Sequence, residues 1–278
     1  MSRLYALDPA MPVLLRPDDV VQVGWDPRRA VLVRPPDGVT PAALASLLRG
    51  MQIPAGKAEL RRRAVSHGLA KDFDQLLDAL VSSGVVRCRT RTSASRALSV
   101  RVHGVGPLSD LLVDALRCSG ARIAQTSHAG ASVSAAAADM VVLTDYLVAD
   151  PRLVRDLHTV GVPHLPVRVR DGAGLVGPLV IPGVTSCLAC ADLHRTDRDG
   201  AWPALAAQLR DVIGSADRPT VLATAAVALG QLTRIITAVR GQEAAGAPPA
   251  TLNTTLQVDV SNNTITARRW SRHPRCEC

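Results

Sequence analysis

The stretch LSVRVHGVGPLSDLL, residues 98–112, decides the fold of this chain. Its first six residues alternate between apolar and polar side chains, which predicts a half-buried strand. A glycine-rich turn at residues 104–107 follows, and Leu108, Leu111 and Leu112 then lie on one face of a predicted helix. A strand that leads through glycines into a helix is typical of the first unit of a βαβ domain.

The alternation of strands and helices continues downstream of this turn. Residues 121–124 predict a second strand, and the apolar run at residues 140–143 predicts a parallel strand buried on both faces. Residues 151–160 then predict a helix, and residues 164–169 the next strand. This order predicts a doubly wound α/β sheet over residues 98–278.

Residues 1–90 predict a separate module in which strands precede short helices. Two apolar runs, at residues 20–23 and 30–33, flank a turn as in a hairpin. Three short helices follow, and Asp72 with Gln75 predicts a capping-box-like start for the third. This order of elements predicts a small winged-helix-like α+β module.

A polar segment at residues 91–97 predicts a linker between the two domains. The formal charge of +8 is concentrated before it, because residues 1–99 hold 15 Lys and Arg against 9 Asp and Glu. Arg61, Arg62 and Arg63 are consecutive, so they spread around a helix instead of forming one stripe. Three interpretations of these arginines stay open. They could contact DNA phosphates, or they could attract an acidic peptide that adds as a strand to the hairpin edge. They could also form a solvated surface without a partner.

The distribution of apolar residues predicts a protein without a membrane partner. The first twelve residues include Arg3 and Asp8 and form no apolar run, so no signal peptide is expected. The longest apolar stretch, residues 221–239, contains Gln231 and Arg234 and predicts a buried helix instead of a membrane span. We therefore expect a cytoplasmic protein.

Four of the six cysteines form two close pairs, Cys187 with Cys190 and Cys276 with Cys278. Two thiolate pairs at these spacings favour a tetrahedral zinc site. A redox pair is less favoured, because a redox CxxC normally opens the first helix of a βαβ unit. Two unrelated pairs of free thiols are the other alternative. His273 could replace one thiolate, but a supporting position next to the ligands is favoured.

The motifs around these cysteines resemble a known superfamily. The strand–Gly-x-Gly–helix opening, ADMVVLTD at residues 138–145, GPLVIPG at residues 177–183 and the CxxC resemble the ThiF or E1-like activating proteins. More narrowly, CLACADLHRTDRD with AWP at residues 187–203 and the terminal HPRCEC resemble the E1-like partner proteins of thiazole/oxazole-modified peptide cyclodehydratases. The resemblance covers about residues 98–278 and implies a Rossmann-type sheet with a zinc knuckle. The N-terminal module is similar to the precursor-peptide recognition element of such partners.

The resemblance implies an ATP and Mg²⁺ site, of which this chain keeps only part. The residues that match the family's site are Gly104, Gly106 and Asp145. Pro107 removes an amide donor where the family has a glycine, and the second strand ends at Gln125 without the carboxylate that would bind ribose. Arg152 is the nearest candidate for the family's arginine. We therefore predict a degenerate nucleotide site.

The leading hypothesis is an E1-like zinc protein that binds a leader peptide and docks a YcaO-type modifying enzyme without catalysis of its own. An adenylyltransferase that acts on a C-terminal carboxylate is the second hypothesis, and a DNA-binding regulator is the third. Whether the chain is an enzyme stays open. E1-like bodies usually pair, so a homodimer that uses residues 219–240 is expected.

Other side chains in these motifs leave alternatives open. The segment from Asp192 to Asp199 predicts either a catalytic base, His194, or a structural network in which Arg195 or Arg198 pairs with Asp199. The structural network is favoured. Two further cysteines, predicted to be buried small hydrophobes with a thioester role as the alternative, are Cys88 and Cys118.

Overall fold

The structure, a computed structural model, describes residues 3–90, 97–127, 138–239 and 248–278. Within the described residues the chain divides into two compact units, one before the predicted linker and one after it. Residues 91–96 of that linker lie outside the described residues, so its exact extent stays a prediction.

The N-terminal unit contains six strands and three helices among the described residues. In chain order they are β1 (Arg3–Leu7), β2 (Val13–Leu15), β3 (Val21–Val23), β4 (Val31–Val33), α1 (Pro41–Gly50), β5 (Ala55–Gly56), α2 (Lys57–Ser66), α3 (Phe73–Ser82) and β6 (Val86–Thr90). They form two antiparallel sheets, β5-β1-β6 and β2-β3-β4. The predicted hairpin is the β3–β4 pair, which leaves β4 at an edge of its sheet.

Local sequence explains how the first of these helices begins. Helix α1 begins after Thr40, whose hydroxyl accepts a hydrogen bond from the Ala43 amide at 3.2 Å, and Pro41 stands at its first position. Helix α3 also follows a polar residue, Asp72, but the side chain of Asp72 makes no capping hydrogen bond. The predicted capping box at Asp72 and Gln75 is therefore wrong. The winged-helix-like description of this unit stays a prediction.

The larger unit is built on a mixed seven-stranded sheet. Its elements are β7 (Ser99–His103), α4 (Pro107–Leu116), β8 (Arg122–Thr126), β9 (Met140–Thr144), α5 (Pro151–Thr159), β10 (His164–Arg170), β11 (Ala173–Val176), α6 (Leu188–Thr196), α7 (Trp202–Leu209), α8 (Arg218–Val239), β12 (Thr254–Asp259) and β13 (Thr264–Arg269). The strand order is β13-β12-β11-β10-β9-β7-β8, with β8, β7, β9 and β10 parallel. This arrangement is Rossmann-like and confirms the predicted α/β class.

Helices cover both faces of this sheet, which explains the apolar strand sequences. Side chains of β7 and β10, including Val100 and Val167, pack against α4 and α8 in one layer. Val141 and Leu143 of β9 point to the other face and pack with α5 and α6. Strands covered on both faces lose the polar alternation of a half-exposed sheet, as the apolar run of β9 shows.

Helix α8 is the longest helix among the described residues. By length and composition alone it is apolar enough to cross a membrane, and 39 % of its most apolar 18-residue window is buried. Its buried side chains, among them Val221, Ala228 and Leu232, belong to the core between α8 and the sheet. This packing is that of a core helix, as the sequence predicts, but Leu222 and Val239 on the same helix are exposed.

Candidate metal centre and nucleotide crevice

The four paired cysteines come together in space although Cys276 follows Cys187 by 89 residues in the chain. Cys187 caps the N-terminus of α6, Cys190 follows in its first turn, and Cys276 and Cys278 come from the tail after β13. The Sγ–Sγ distances are 3.7 Å between Cys187 and Cys190, 3.6 Å between Cys187 and Cys276, and 3.4 Å between Cys190 and Cys278. All four sulfur atoms lie within 4.8 Å of one another.

These distances fit a metal better than disulfides. A disulfide requires sulfur atoms about 2.05 Å apart, far closer than any of the three measured pairs. A tetrahedron with Zn–S bonds of about 2.3 Å has edges of about 3.8 Å, close to the measured separations. The four thiols of Cys187, Cys190, Cys276 and Cys278 therefore form a group that can hold a metal such as zinc.

Hydrogen bonds and burial act in opposite directions on these thiols. Burial raises the pKa of Cys187 strongly and that of Cys278 as well. Burial also raises the pKa of Cys190, but hydrogen bonds from the backbone at His273 and Cys187 and from the neighbouring thiols lower it to about 7. Among Cys187, Cys190 and Cys278, the thiol of Cys190 is thus the most readily ionised, and a bound cation would favour the thiolate form of the other two.

Contacts outside the cysteines hold the tail on the domain. The indole of Trp270 is buried and donates to Thr255 Oγ1 at 2.9 Å. The Arg195 guanidinium lies 5.0 Å from the ring centre of Trp202 and 5.1 Å from that of Trp270. Arg195 also pairs with Asp192 at 2.7 Å. The guanidinium thus links α6 to both α7 and the tail.

The predicted pairing of Arg195 or Arg198 with Asp199 is wrong for Arg195. Helix α6 ends at Thr196, so Asp199 lies beyond it, whereas Asp192 lies one turn before Arg195 on the same helix face. Asp199 instead accepts a hydrogen bond from the Ala201 amide at 2.9 Å and stabilises the turn that leads to α7. The structural network therefore exists with a different acidic partner.

The two histidines of these motifs contact each other and polar groups of the tail. His273 is 5 % exposed, and its Nε2 lies 2.7 Å from Asp197 Oδ2, so it supports the tail instead of joining the four sulfur atoms. Asp197 also pairs with Arg275. His194 Nε2 lies 3.2 Å from the Ser271 carbonyl oxygen, and the ring centres of His194 and His273 are 4.7 Å apart. Both rings are thus engaged within the motif, which favours the structural role predicted for this segment.

The two remaining cysteines lie far from this centre in the sequence. Cys88 is half-buried in β6, and Cys118 is exposed in the short 3-10 turn after α4. The predicted burial of Cys118 is wrong, because its turn ends the helix at the protein surface. The thioester role that is the alternative stays untested.

The glycine turn after β7 lies where the parallel strand order reverses. The chain leaves β7 towards β8 and leaves β9 towards β10, so the carboxyl ends of β7 and β9 border the crevice in which such folds bind ligands. A Cβ on Gly104 would stand 2.1 Å from Thr144 Oγ1, and a Cβ on Gly106 would stand 2.8 Å from Asp145 Oδ1. Both glycines are therefore required by the close approach of the end of β9.

Asp145 occupies the place where a nucleotide phosphate would be expected. It is 2 % exposed, and its Oδ1 and Oδ2 accept hydrogen bonds from the amides of Leu108 at 3.0 Å and Ser109 at 3.1 Å. These are the first amides of α4, since Pro107 has none. Free amides at a helix N-terminus bind anions, and here the protein's own carboxylate fills that role.

A second segment of the chain covers the same crevice. The Leu147 amide donates to the Val212 carbonyl at 2.9 Å, and the Gly214 amide donates to the Asp145 carbonyl at 3.0 Å. The cavity that is left has a volume of about 50 Å³. Ligand pockets usually measure about 300–1,000 Å³, so the cavity that the described residues leave here is smaller than a nucleotide requires. Arg152 is exposed at the start of α5 and does not line it.

Sequence reasoning missed two features of this region. Arg210 and Asp211, which line the small cavity, follow α7 in a segment with no recognisable motif. Arg168 lies in the apolar strand β10, and the apolar pattern predicts that strand without singling out the arginine. Its spacing in HLPVRVR does place it on the face opposite Val167, which is the available clue.

Comparison with known proteins shows the fold of the chain but not its family. No family model matches the chain, and no curated protein matches it. Among solved structures, a heterocyclase in complex with substrate and cofactor and the heterocyclase TruD both align with a TM-score of 0.65, at 14 % and 16 % identity. Each alignment covers 99 % of this chain, which spans only 39 % and 42 % of those proteins.

The microcin C7 biosynthetic enzyme MccB is similar over nearly its whole length. Its complex with N-formylated MccA aligns with a TM-score of 0.58 at 11 % identity, covering 99 % of each chain. The E. coli MccB structure with ATP gives the same values. At 11–16 % identity these similarities show that the chain shares its fold with those proteins, and they do not single out a family.

Proposed function

We propose that this chain is a zinc-binding, E1-like partner protein that captures a precursor peptide and presents it to a separate modifying enzyme in the cytoplasm. The observation that carries the proposal is the closed nucleotide crevice, in which Asp145 satisfies the amides of α4. A domain that keeps its fold and cysteine centre but fills its ligand crevice retains the capacity to bind macromolecules. It lacks the space for adenylation.

The N-terminal unit offers a sheet edge suited to an extended acidic peptide. Among the described residues strand β4 pairs with β3 alone, which leaves one side of its backbone for strand addition. Leu32 on this strand is 55 % exposed, and Arg28, Arg29 and Arg34 flank the strand with exposed side chains. An extended peptide with acidic residues matches both the backbone edge and the positive charge.

Ion pairs within the same unit weaken the DNA-binding alternative. Of the three consecutive arginines on α2, Arg61 pairs with Asp74 at 2.7 Å and Arg63 pairs with Glu59. Lys57 also contacts Asp74, at 2.8 Å. Three of the four cations on this helix thus contact carboxylates of the unit itself, with Lys57 and Arg61 sharing Asp74, which reduces the charge available to phosphates.

Structurally similar proteins include enzymes that were solved in complexes, which supports a role beside a modifying enzyme. One neighbour is a heterocyclase in complex with substrate and cofactor, and another is MccB in complex with N-formylated MccA. This chain spans about two fifths of the heterocyclases, and we assign the modifying activity to a partner outside it. Exposed Leu222 and Val239 on α8 are consistent with the proposed homodimer.

Two titrations with the full zinc-loaded chain test the proposal. Calorimetry with ATP and Mg²⁺ should give no binding heat, and pyrophosphate exchange should be absent. Fluorescein-labelled peptides encoded by short reading frames beside the gene should bind in an anisotropy assay, whereas scrambled versions should not. Tight ATP binding together with pyrophosphate exchange would favour the adenylyltransferase alternative.

A pair of charge reversals assigns the peptide site. Arg34→Glu, next to β4, should weaken peptide binding by about tenfold, because it places a carboxylate beside an acidic ligand. Arg62→Glu, an exposed residue of α2 in the same unit, should leave binding unchanged. Equal losses in both variants would mean that general charge attraction, and not the β4 edge, governs binding.

A further inference from the structure

The larger unit contains a second and much bigger cavity that the proposed function does not use. Its volume is about 630 Å³, within the usual range for small-molecule sites. It lies between α5, the end of β10, α6, α7 and the cysteine tail. Apolar side chains form much of its wall, including Leu147, Val154, Leu188, Trp202 and Leu209. The cavity therefore suits a ligand with an apolar body.

Four arginines line this cavity, and two of them have carboxylate partners. Arg195 pairs with Asp192 at 2.7 Å, and Arg170 lies 3.4 Å from Asp171. Arg155 is exposed on α5 at the edge of the cavity. The fourth, Arg168, comes from the centre of the sheet and reaches the cavity on the face that α5 and α6 cover.

Arg168 is a half-buried cation without a partner in the described part of the chain. No side chain or backbone oxygen of the described residues lies within hydrogen-bond or salt-bridge distance of its guanidinium. Burial, with a smaller contribution from nearby Arg195, lowers the pKa of Arg168 to about 10 against the opposing attraction of Asp192, so the group is still charged at neutral pH. A partly desolvated guanidinium without hydrogen-bond partners is costly, and a bound anion would offset that cost.

The cysteine centre provides a competing explanation for this charge. Cys187, Cys276 and Cys278 also line the cavity, and zinc with four thiolates carries a net charge of about −2. Arg168 could therefore balance the metal centre over a distance. The two explanations differ in one measurable respect: a charge-balancing arginine is needed to keep zinc, whereas a ligand-binding arginine is not.

We propose that this cavity binds an organic anion, a carboxylate or phosphate carried on an apolar body, and that Arg168 contacts the anionic group. The planar guanidinium presents paired N–H donors that match both of these oxyanions. Trp202 and the leucines contact the apolar body. Arg155 adds charge at the mouth. This inference is independent of peptide capture by the N-terminal unit.

The test uses 1-anilinonaphthalene-8-sulfonate as an apolar anion probe with the full zinc-loaded chain. Its uncharged analogue, N-phenyl-1-naphthylamine, is the control for purely apolar binding. We expect saturable fluorescence with the anionic probe and at least about tenfold weaker binding of the uncharged one. Competition by decanoate and by decyl phosphate, with decanol as the uncharged control, then shows whether the carboxylate or the phosphate binds more tightly.

Variants assign the site and decide between the two explanations. Arg168→Met should weaken probe binding about tenfold and leave the zinc content unchanged, whereas Arg122→Met on exposed β8 should change neither. If Arg168→Met does not fold, Arg155→Met at the cavity mouth should still weaken binding severalfold. The proposal is overturned if both probes bind equally, if neither cavity variant changes binding, or if Arg168→Met loses zinc in proportion to probe binding.

Discussion

The cysteine centre and the crevice at the glycine turn, both in the larger unit, differ in which groups satisfy their polar atoms. At the cysteine centre, four sulfur atoms stand 3.4–3.7 Å apart in the three measured pairs, and their nearest polar partners are largely one another. At the crevice, the amides of α4 are bound by Asp145 and the space is filled by residues 210–214. The comparison teaches that one fold can leave a group of four thiols able to hold a cation while distant residues satisfy and cover another set of polar groups.

The largest expected effect comes from breaking the cysteine centre. Cys187→Ser removes one thiolate, and because metal binding contributes folding free energy, we expect the melting temperature to fall by about 10 °C. Zinc content, measured by atomic absorption, should fall with it. Cys118→Ser, an exposed cysteine, is the matched control and should change neither quantity. Unchanged zinc content in Cys187→Ser would contradict the four-thiolate site.

Substitutions of Asp145 test whether its carboxylate satisfies the crevice amides. Asp145→Ala should lower the free energy of unfolding by about 2–4 kcal/mol, because two buried amides of α4 lose a charged acceptor. Denaturant titration measures this change. Asp145→Asn, which keeps one oxygen acceptor, should recover part of the stability. If the parent chain binds Mg²⁺ and Asp145→Ala is equally stable but does not bind it, Asp145 has a metal-binding role instead.

Adding a single methyl group to the glycine turn should lower the stability of the fold. Gly104→Ala places a Cβ 2.1 Å from Thr144 Oγ1, and the required shift should cost about 1–3 kcal/mol. Gly200→Ala is the matched control, because nothing lies within 4 Å of the position that its methyl group would take. Chemical denaturation of both variants checks the prediction. Equal stability of the two would show that the turn can relax away from β9.

The smallest expected effect at neutral pH concerns a buried histidine of the sheet, His164 in β10, whose contribution appears only on acidification. Burial lowers the pKa of His164 to about 4, while its Nδ1 donates to the Val162 carbonyl. The unfolded chain takes up this proton near its ordinary value of about 6.5, so the free energy of unfolding should fall by up to about 1.4 kcal/mol per pH unit below that. The loss continues until the pH reaches about 4.

His164→Met removes the titrating group and should flatten this part of the pH profile. Denaturant titrations between about pH 4 and pH 7 compare it with the parent chain. His158, whose pKa burial also lowers, contributes in the same direction and leaves a smaller residual slope. An identical slope in His164→Met and the parent chain would assign the pH dependence to other groups.

Local pattern is a good guide to the elements of this chain and a poor guide to their polar contacts. The strand–turn–helix at residues 98–112 forms β7 and α4, and the apolar run after it forms the buried strand β9. The partners of Asp145 lie 36 and 37 residues away along the chain, and no periodicity encodes such a distance. The predicted pairing of Arg195 is wrong for a simpler reason, since helix α6 ends at Thr196 and Asp199 lies beyond it, whereas Asp192 lies on the helix one turn before Arg195.

The sequence by itself determined the α/β class, the order of the strands and helices in the larger unit, and the four cysteines that can hold a metal. Apolar periodicity and ligand spacing are properties of short segments, so they are readable without coordinates. Only the tertiary structure decided that Asp145 fills the anion position, that residues 210–214 close the crevice, and that Arg168 faces a cavity with no partner among the described residues. Those outcomes depend on which distant groups meet, because a buried polar group is governed by its neighbours in space.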